Sequence, residues 1–305
     1  MAPGMVAALT EPSPPFFREG SHPRPYNGGS TMTASRTKPR PRLVFSTAPF
    51  FRYPVREAFR HAAEAGFEAV EVMVTQDPHT QEPHLLSRLA EEFGLKVVAV
   101  HAPFLLLTRR VWGSEPTGKI YRAVHLAEEL GASIVVIHPP YRWQVRFRVW
   151  VEDQLAEFSA RTGVVVAVEN MFPIKIRGDR GVRLHASQAL DDLERVPYLV
   201  LDTSHAAVTG LDIRDFYRQH RDRIQHVHLS NNAGKGWDSH LPVDQEGVLP
   251  LKEFLDDLAK DGFAGNVSLE LDLRPWMRDG GSLHDVLVRN REFCERQLTP
   301  AGPRG

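Results

Sequence analysis

Residues 164–169 read Val164-Val165-Val166-Ala167-Val168-Glu169, five apolar side chains ending on a carboxylate. A run of this length between amphipathic stretches predicts a strand buried on both faces, and α/β proteins place their chemistry at the carboxyl ends of such strands. The same figure recurs along the chain. Val97–Val100 leads into His101, Ile134–Ile137 into His138, Tyr198–Leu201 into Asp202 and Val267–Leu269 into Glu270, while Ile224–Val227 delivers His228. One such ending would carry little weight. Six, all drawn from His, Asp and Glu, converge on one mouth if the strands close into one barrel, and that mouth is a candidate metal site.

Working outward, strands are predicted near 43–46, 69–73, 97–100, 133–137, 164–168, 198–201, 224–229 and 267–271. Amphipathic stretches lie between them: Val55–Ala65, Leu85–Phe93, Gly118–Leu130, Gln144–Arg161, Ala186–Arg195, Ile213–Arg221 and Leu251–Lys260, with Leu283–Gln297 at the end. Several close on glycine before the next strand, as at Gly66, Gly94, Gly131 and Gly262. Eight strands alternating with eight helices favour the α/β class and a single (β/α)8 TIM barrel over an open doubly wound sheet. No Gly-x-Gly-x-x-Gly follows the first strand, which removes the main support for dinucleotide binding.

The barrel is expected over residues 43–298, with a short tail at 299–305. Residues 1–42 hold eight of the 23 prolines, Gly28, Gly29 and the basic series Arg36, Lys38, Arg40 and Arg42. Without apolar periodicity such a segment reads as a disordered tail, with Met32 as an alternative start and a partner-binding arm as its functional alternative. The formal net charge of -1 and pI near 6.9 give no global basic field for nucleic acid or an anionic membrane. The single cysteine, Cys294, excludes an intrachain disulfide and a Cys-rich zinc module, and favours a cytoplasmic compartment. No apolar stretch reaches the roughly 18 residues of a membrane span.

A histidine at a strand end often only braces a loop, so His101 or His138 taken singly decides nothing. Glu169 and Glu270 are more telling, because a carboxylate behind several apolar residues faces burial that a cation or hydrogen-bond partner must compensate. Asp202-Thr203-Ser204-His205 is expected to form a tight turn with both ends facing the mouth. His226 and His228 share one face by strand periodicity, and only one of them need be a ligand. Asp238-Ser239-His240 adds two more candidates.

With these residues in place, the chain from about 43 to 298 resembles the xylose-isomerase-like TIM barrels, which comprise sugar and sugar-phosphate isomerases and epimerases together with endonuclease IV, of AP endonuclease family 2. The stretch His240-Leu241-Pro242-Val243-Asp244-Gln245-Glu246-Gly247-Val248-Leu249 looks like that family's His-x-Pro…Gly segment, with a longer gap before Gly247 and without the usual first glycine. The resemblance implies a four-ligand metal site at Glu169, Asp202, His228 and Glu270, with Glu169 and Glu270 also exchanging the substrate proton. His101, His138, His205, Asp238 and His240 fall where endonuclease IV has its additional zinc ligands. In single-metal members several of these histidines contact substrate instead.

Three carboxylates and an imidazole suit Mn²⁺, Mg²⁺ or Co²⁺, with Zn²⁺ as a further candidate. On the isomerase reading, a small carbohydrate or sugar phosphate loses a carbon-bound proton and passes through an enediolate. On the nuclease reading, clustered zinc ions activate water against abasic DNA, which also requires a basic rim able to grip a duplex. Arg109, Arg110 and Trp112, then Arg142, Trp143, Arg146 and Arg148, then Lys175, Arg177, Arg180 and Arg183 follow the third, fourth and fifth strands. Arg142, Lys175 and Arg177 are candidate contacts for a substrate or its phosphate, although charge runs commonly mark solvated surface. The neutral overall charge favours the sugar enzyme over the nuclease, so a nucleic-acid or membrane partner is not expected, whereas a homo-oligomer is compatible with the sequence. A catalytically inactive barrel that binds a sugar or protein partner is the remaining alternative, and joint retention of the four ligand positions speaks against it.

Overall fold

In the computed structural model, residues 39–104, 108, 110–177, 180–182, 185, 193–278 and 280–299 are described. The expected N-terminal tail, apart from its last residues, lies outside them, as do Arg109, Arg183, most of the helix expected at Ala186–Arg195 and residues 300–305. Eight parallel strands close a barrel: β1 (Arg42–Ser46), β2 (Ala69–Met73), β3 (Lys96–His101), β4 (Ile134–Ile137), β5 (Val165–Glu169), β8 (Leu199–Asp202), β9 (Ile224–Leu229) and β10 (Asn266–Leu269). Each matches an expected strand to within two residues at either end. Between β5 and β8 a separate antiparallel hairpin forms from β6 (Ile174–Arg177) and β7 (Arg180–Val182), where no strand was expected.

The helices are α1 (Val55–Glu64), α2 (Pro83–Phe93), α3 (Pro116–Leu130), α4 (Val145–Asp153), α5 (Leu155–Thr162), α6 (Thr203–Thr209), α7 (Ile213–His220), α8 (Leu251–Asp261) and α9 (Gly280–Leu298). Helices α2 and α3 begin two residues before the expected starts, because Pro83 and Pro116 occupy the first helical turn, where a missing N–H costs nothing. Gly94 and Gly131 end them at φ 66° and 67°. The single helix expected over Gln144–Arg161 is two helices meeting at Gln154. Its buried stripe of Phe147, Val151, Leu155 and Phe158 continues across the break, so the periodicity carries no sign of it. Helix α6 replaces the expected tight turn after Asp202.

Most of the core lies between barrel and helices, with Phe45, Phe59, Ile120, Leu155, Phe216 and Phe254 among the fully buried members. Two smaller clusters fill the barrel itself: Ala99, Ile134, Val136, Ala167 and Val200, and below them Val44, Ala69 and Val98. Strand periodicity carries these inward rows up to the mouth, from Val136 to His138, Ala167 to Glu169 and Val200 to Asp202. Two one-residue register shifts set the phase: Val70 pairs with Val97 but Glu71 with Ala99, and Leu199 pairs with Ile224 but Val200 with His226. Val98 and Gln225 are the extra residues. Among the described residues, no helix is long and apolar enough to cross a membrane.

Candidate metal centre

The four expected ligands come together at the mouth around one atom, His228 Nδ1. It lies 2.8 Å from Glu169 Oε1, 3.3 Å from Glu270 Oε2 and 3.9 Å from Asp202 Oδ2. Register explains the gathering: Asp202 pairs with His228 across β8 and β9, and His228 with Ser268, two residues before Glu270, across β9 and β10. Asn170 fastens β5 to β8, donating through Nδ2 to the Asp202 carbonyl (3.0 Å) and accepting the Asp202 N–H on Oδ1 (2.7 Å). Asp202 also caps α6, its Oδ1 accepting the His205 N–H at 2.7 Å.

Around this centre stand the other expected residues. His138 Nε2 lies 3.1 Å and His101 Nε2 3.8 Å from Glu169 Oε2. His205 Nδ1 donates to the Asn170 carbonyl at 2.8 Å, which turns Nε2 toward Asp238 Oδ2 at 3.4 Å. His240 Nε2 is 2.8 Å from the same Asp238 oxygen, and the His240 backbone sits at φ 41°, a left-handed conformation costly for a side chain other than glycine. Asp202, His205 and His240 thus form a second group able to share a cation. The loop carrying Asp238 and His240 is tied to the end of β9 by paired backbone bonds between Asn231 and Leu241 and by Asn231 Nδ2 donating to the Gln245 carbonyl. Gly247 is required there, since a Cβ would stand 2.3 Å from Asn231 Oδ1.

Arg142 is exposed on the segment before α4, whereas Lys175 and Arg177 lie on β6; among the described residues, Arg142 forms no ion pair with the carboxylates of the mouth. Sequence reasoning missed Glu71, Asn170 and the inward role of His226. Glu71 is fully buried in β2, its Oε2 at 2.5 Å from His226 Nε2 and its Oε1 at 3.1 Å from His228 Nε2. The available signal was a charge in the middle of the apolar run Ala69–Val74, where it does not stand out as the ending of a run.

Five carboxylates (Glu71, Glu169, Asp202, Asp238 and Glu270) therefore gather at the barrel mouth and in the layer just below it. Among the described residues, their ion pairs are with histidines only. Burial opposes ionisation of Glu169, yet His228, His101 and His138 outweigh it and hold its carboxyl well below the usual range. Burial likewise disfavours an imidazolium at His228, but Glu71, Glu270 and Glu169 raise it well above the ordinary histidine value. Asp202 behaves oppositely: burial pushes it up to about 6, against the pull of His205 and His240. His240, opposed by burial but facing Asp238 and Asp202, rises to about 10.

Three carboxylate oxygens aimed into the site, Glu169 Oε2, Asp202 Oδ2 and Glu270 Oε2, are buried and receive no aligned hydrogen bond. Such atoms are costly unless something else compensates them. An oxygen-rich set with one imidazole nitrogen fits a divalent cation, which would compensate the three unbonded oxygens.

The chain is 34% identical over 279 residues to an uncharacterized protein of Mycobacterium tuberculosis, covering 86% of this chain and 99% of that one. It is 22% identical over 244 residues to fructoselysine 3-epimerase of Shigella flexneri, covering 72% of this chain and 86% of that one. A solved D-tagatose 3-epimerase-like protein superposes with a TM-score of 0.61 at 22% identity, covering 85% of this chain and 100% of that one, a likeness of fold. Residues 59–292, which hold all six of the strand-end residues that drew attention in the sequence, match the family described as xylose isomerase-like TIM barrel, and the chain belongs to that family.

Proposed function

We propose that the protein is a divalent-metal-dependent isomerase or epimerase of a small carbohydrate or sugar phosphate, with Glu169, Asp202, His228 and Glu270 holding the cation. The observation that carries this reading is the convergence on His228 Nδ1 of the Glu169, Asp202 and Glu270 carboxylates, each of which keeps one buried oxygen without an aligned hydrogen bond. A divalent ion bound there would polarise a carbonyl and its neighbouring hydroxyl and so acidify the carbon-bound proton between them. Glu169 and Glu270 come from separate strands, so one carboxylate can take that proton while the other, in its acid form, returns one to carbon; the net change is a moved proton. His205 and His138 lie close enough to contact substrate hydroxyls. The relatedness to a fructoselysine 3-epimerase supports the carbohydrate class.

A second reading, hydrolysis of a phosphodiester by clustered zinc ions, draws on the grouping of Asp202, His205 and His240 with Asp238 close by. The two separate in one experiment. Incubation in deuterated water with a panel of ketoses, polyol ketones and their phosphates is expected to exchange a carbon-bound hydrogen in at least one of them, dependent on divalent metal and abolished by chelator. Metal-dependent incision of abasic duplex DNA, with no exchange anywhere in the panel, would replace the first reading by the second.

A further inference from the structure

Glu71 has no place in the four-ligand site, yet it is the one carboxylate in the layer of the barrel below the mouth. Its register partners are Ser46 of β1 and Ala99 of β3, and Ala99 belongs to the apolar cluster with Ile134, Val136, Ala167 and Val200 that fills the barrel there. Neither end of β2 explains it, since Ala69, Val70, Val72 and Met73 on the same strand are buried and apolar. A lone buried carboxylate in such surroundings is strongly disfavoured unless specific partners meet it. Both of its partners are imidazoles of β9. Oε1 lies 3.1 Å and Oε2 3.3 Å from His228 Nε2, and Oε2 lies 2.5 Å from His226 Nε2.

The geometry points to Glu71 as a positioning residue that accepts the Nε2–H of His228 and so leaves Nδ1 to face the Glu169, Asp202 and Glu270 oxygens as a ligand, while His226 holds the Glu71 carboxylate in register. The inference rests on the reading of those four residues as the metal site. An imidazole can bind a cation only through a bare nitrogen, and which nitrogen is bare is decided by the hydrogen bond the other one makes. Glu71 makes that bond from across the barrel. It also raises the basicity of the ring and limits its rotation, both of which strengthen coordination.

The test uses the full chain stripped with chelator and titrated with Mn²⁺ by calorimetry. Glu71→Gln keeps the side-chain length and removes the charge, and is expected to weaken Mn²⁺ binding about 10–100-fold, the range for outer contacts of metal-bound histidines. Glu71 as mere packing would instead shift the melting temperature of the metal-free protein and leave the affinity within twofold, which would overturn the inference. A second measurement does not depend on the variant folding: nitrogen-15 spectra of histidine-labelled wild type loaded with Zn²⁺, with His228 assigned by its loss in His228→Gln. The expected pattern is a proton on Nε2 and none on Nδ1; a proton on Nδ1 of His228 overturns the inference outright. Wild-type protein that binds neither Mn²⁺ nor Zn²⁺ would remove the four-ligand reading itself, an outcome distinct from unaltered binding by Glu71→Gln.

Discussion

Replacing Asp202 by asparagine separates what this residue does for the fold from what it does for the site. Its two oxygens have different work: Oδ1 caps α6 through the His205 N–H at 2.7 Å, while Oδ2 points into the cluster with no hydrogen bond. Asparagine keeps an oxygen for the cap and puts an amide nitrogen, which has no lone pair to donate, in the second place. Metal-free Asp202→Asn should therefore melt close to wild type. Asp202→Ala loses the cap as well, about 1 kcal/mol, or about 2–4 °C in a barrel of this size. With metal at about 100 times its dissociation constant, wild type gains about 2.7 kcal/mol, or about 5–10 °C. If the lost ligand weakens binding even by the ~100-fold that outer contacts alone can cost, the variant gains only about 0.4 kcal/mol, or about 1 °C. The assay is scanning calorimetry with and without Mn²⁺ near pH 8 (roughly four units above the usual Asp value), above the raised Asp202 value of about 6, so that the wild-type carboxylate is ionised. An equal metal-induced shift in wild type and Asp202→Asn would refute the reasoning.

Glu169→Gln and Glu270→Gln should each leave the barrel folded by circular dichroism while lowering proton-exchange turnover by about 10²-fold or more, since an amide can serve neither as ligand nor as base; full metal content and activity in both would remove the site. Asp77 links α1 to the segment after β2, its Oδ2 accepting the Val55 N–H at 2.7 Å and Oδ1 the His79 N–H at 3.0 Å. Burial opposes its ionisation, but these backbone bonds hold its carboxyl below the usual value. A group whose folded value is depressed contributes stability above its unfolded value, near 3.9, and loses it as pH falls through the folded one. Asp77→Asn should thus cost about 1 kcal/mol at pH 7 and progressively less below about pH 4, read from urea melts; a difference that stays constant with pH would contradict the assignment.

The barrel was legible because fully buried parallel strands write themselves as apolar runs, and β5 does so without interruption. Its helices were legible wherever a glycine or proline punctuated them; the break at Gln154 was not, because an apolar stripe is indifferent to a one-residue backbone departure. At the site, Glu169, Asp202, His228 and Glu270 were visible as endings of runs. Their grouping about one nitrogen was not, since it depends on register between strands distant in sequence. Glu71 escaped because it stands inside a run, and its partners lie more than 150 positions away, at His226 and His228. The helix after Asp202 hid for a different reason: Thr203-Ser204-His205 has weak helix propensity, and capping by the aspartate supplies what the residues themselves do not.

The register shifts at Val98 and Gln225 give the site a dependence on strand pairing as well as on residue identity. Each extra residue turns the strand above it by one step of alternation, and His101 and His228 look into the barrel only because that step has been taken. Drawing Gln225 into regular pairing opposite Val200 would leave every candidate ligand in the sequence and yet point His226 and His228 at the helices, while Leu229 and Val227 would line the mouth; deleting Gln225 would instead leave Ile224 opposite Leu199 and His226 opposite Val200, with both histidines still facing inward. A substitution scan of β9 could find Gln225 tolerant of many side chains. The same position would tolerate removal as well, because the bulge absorbs a residue that the pairing on either side of it does not use.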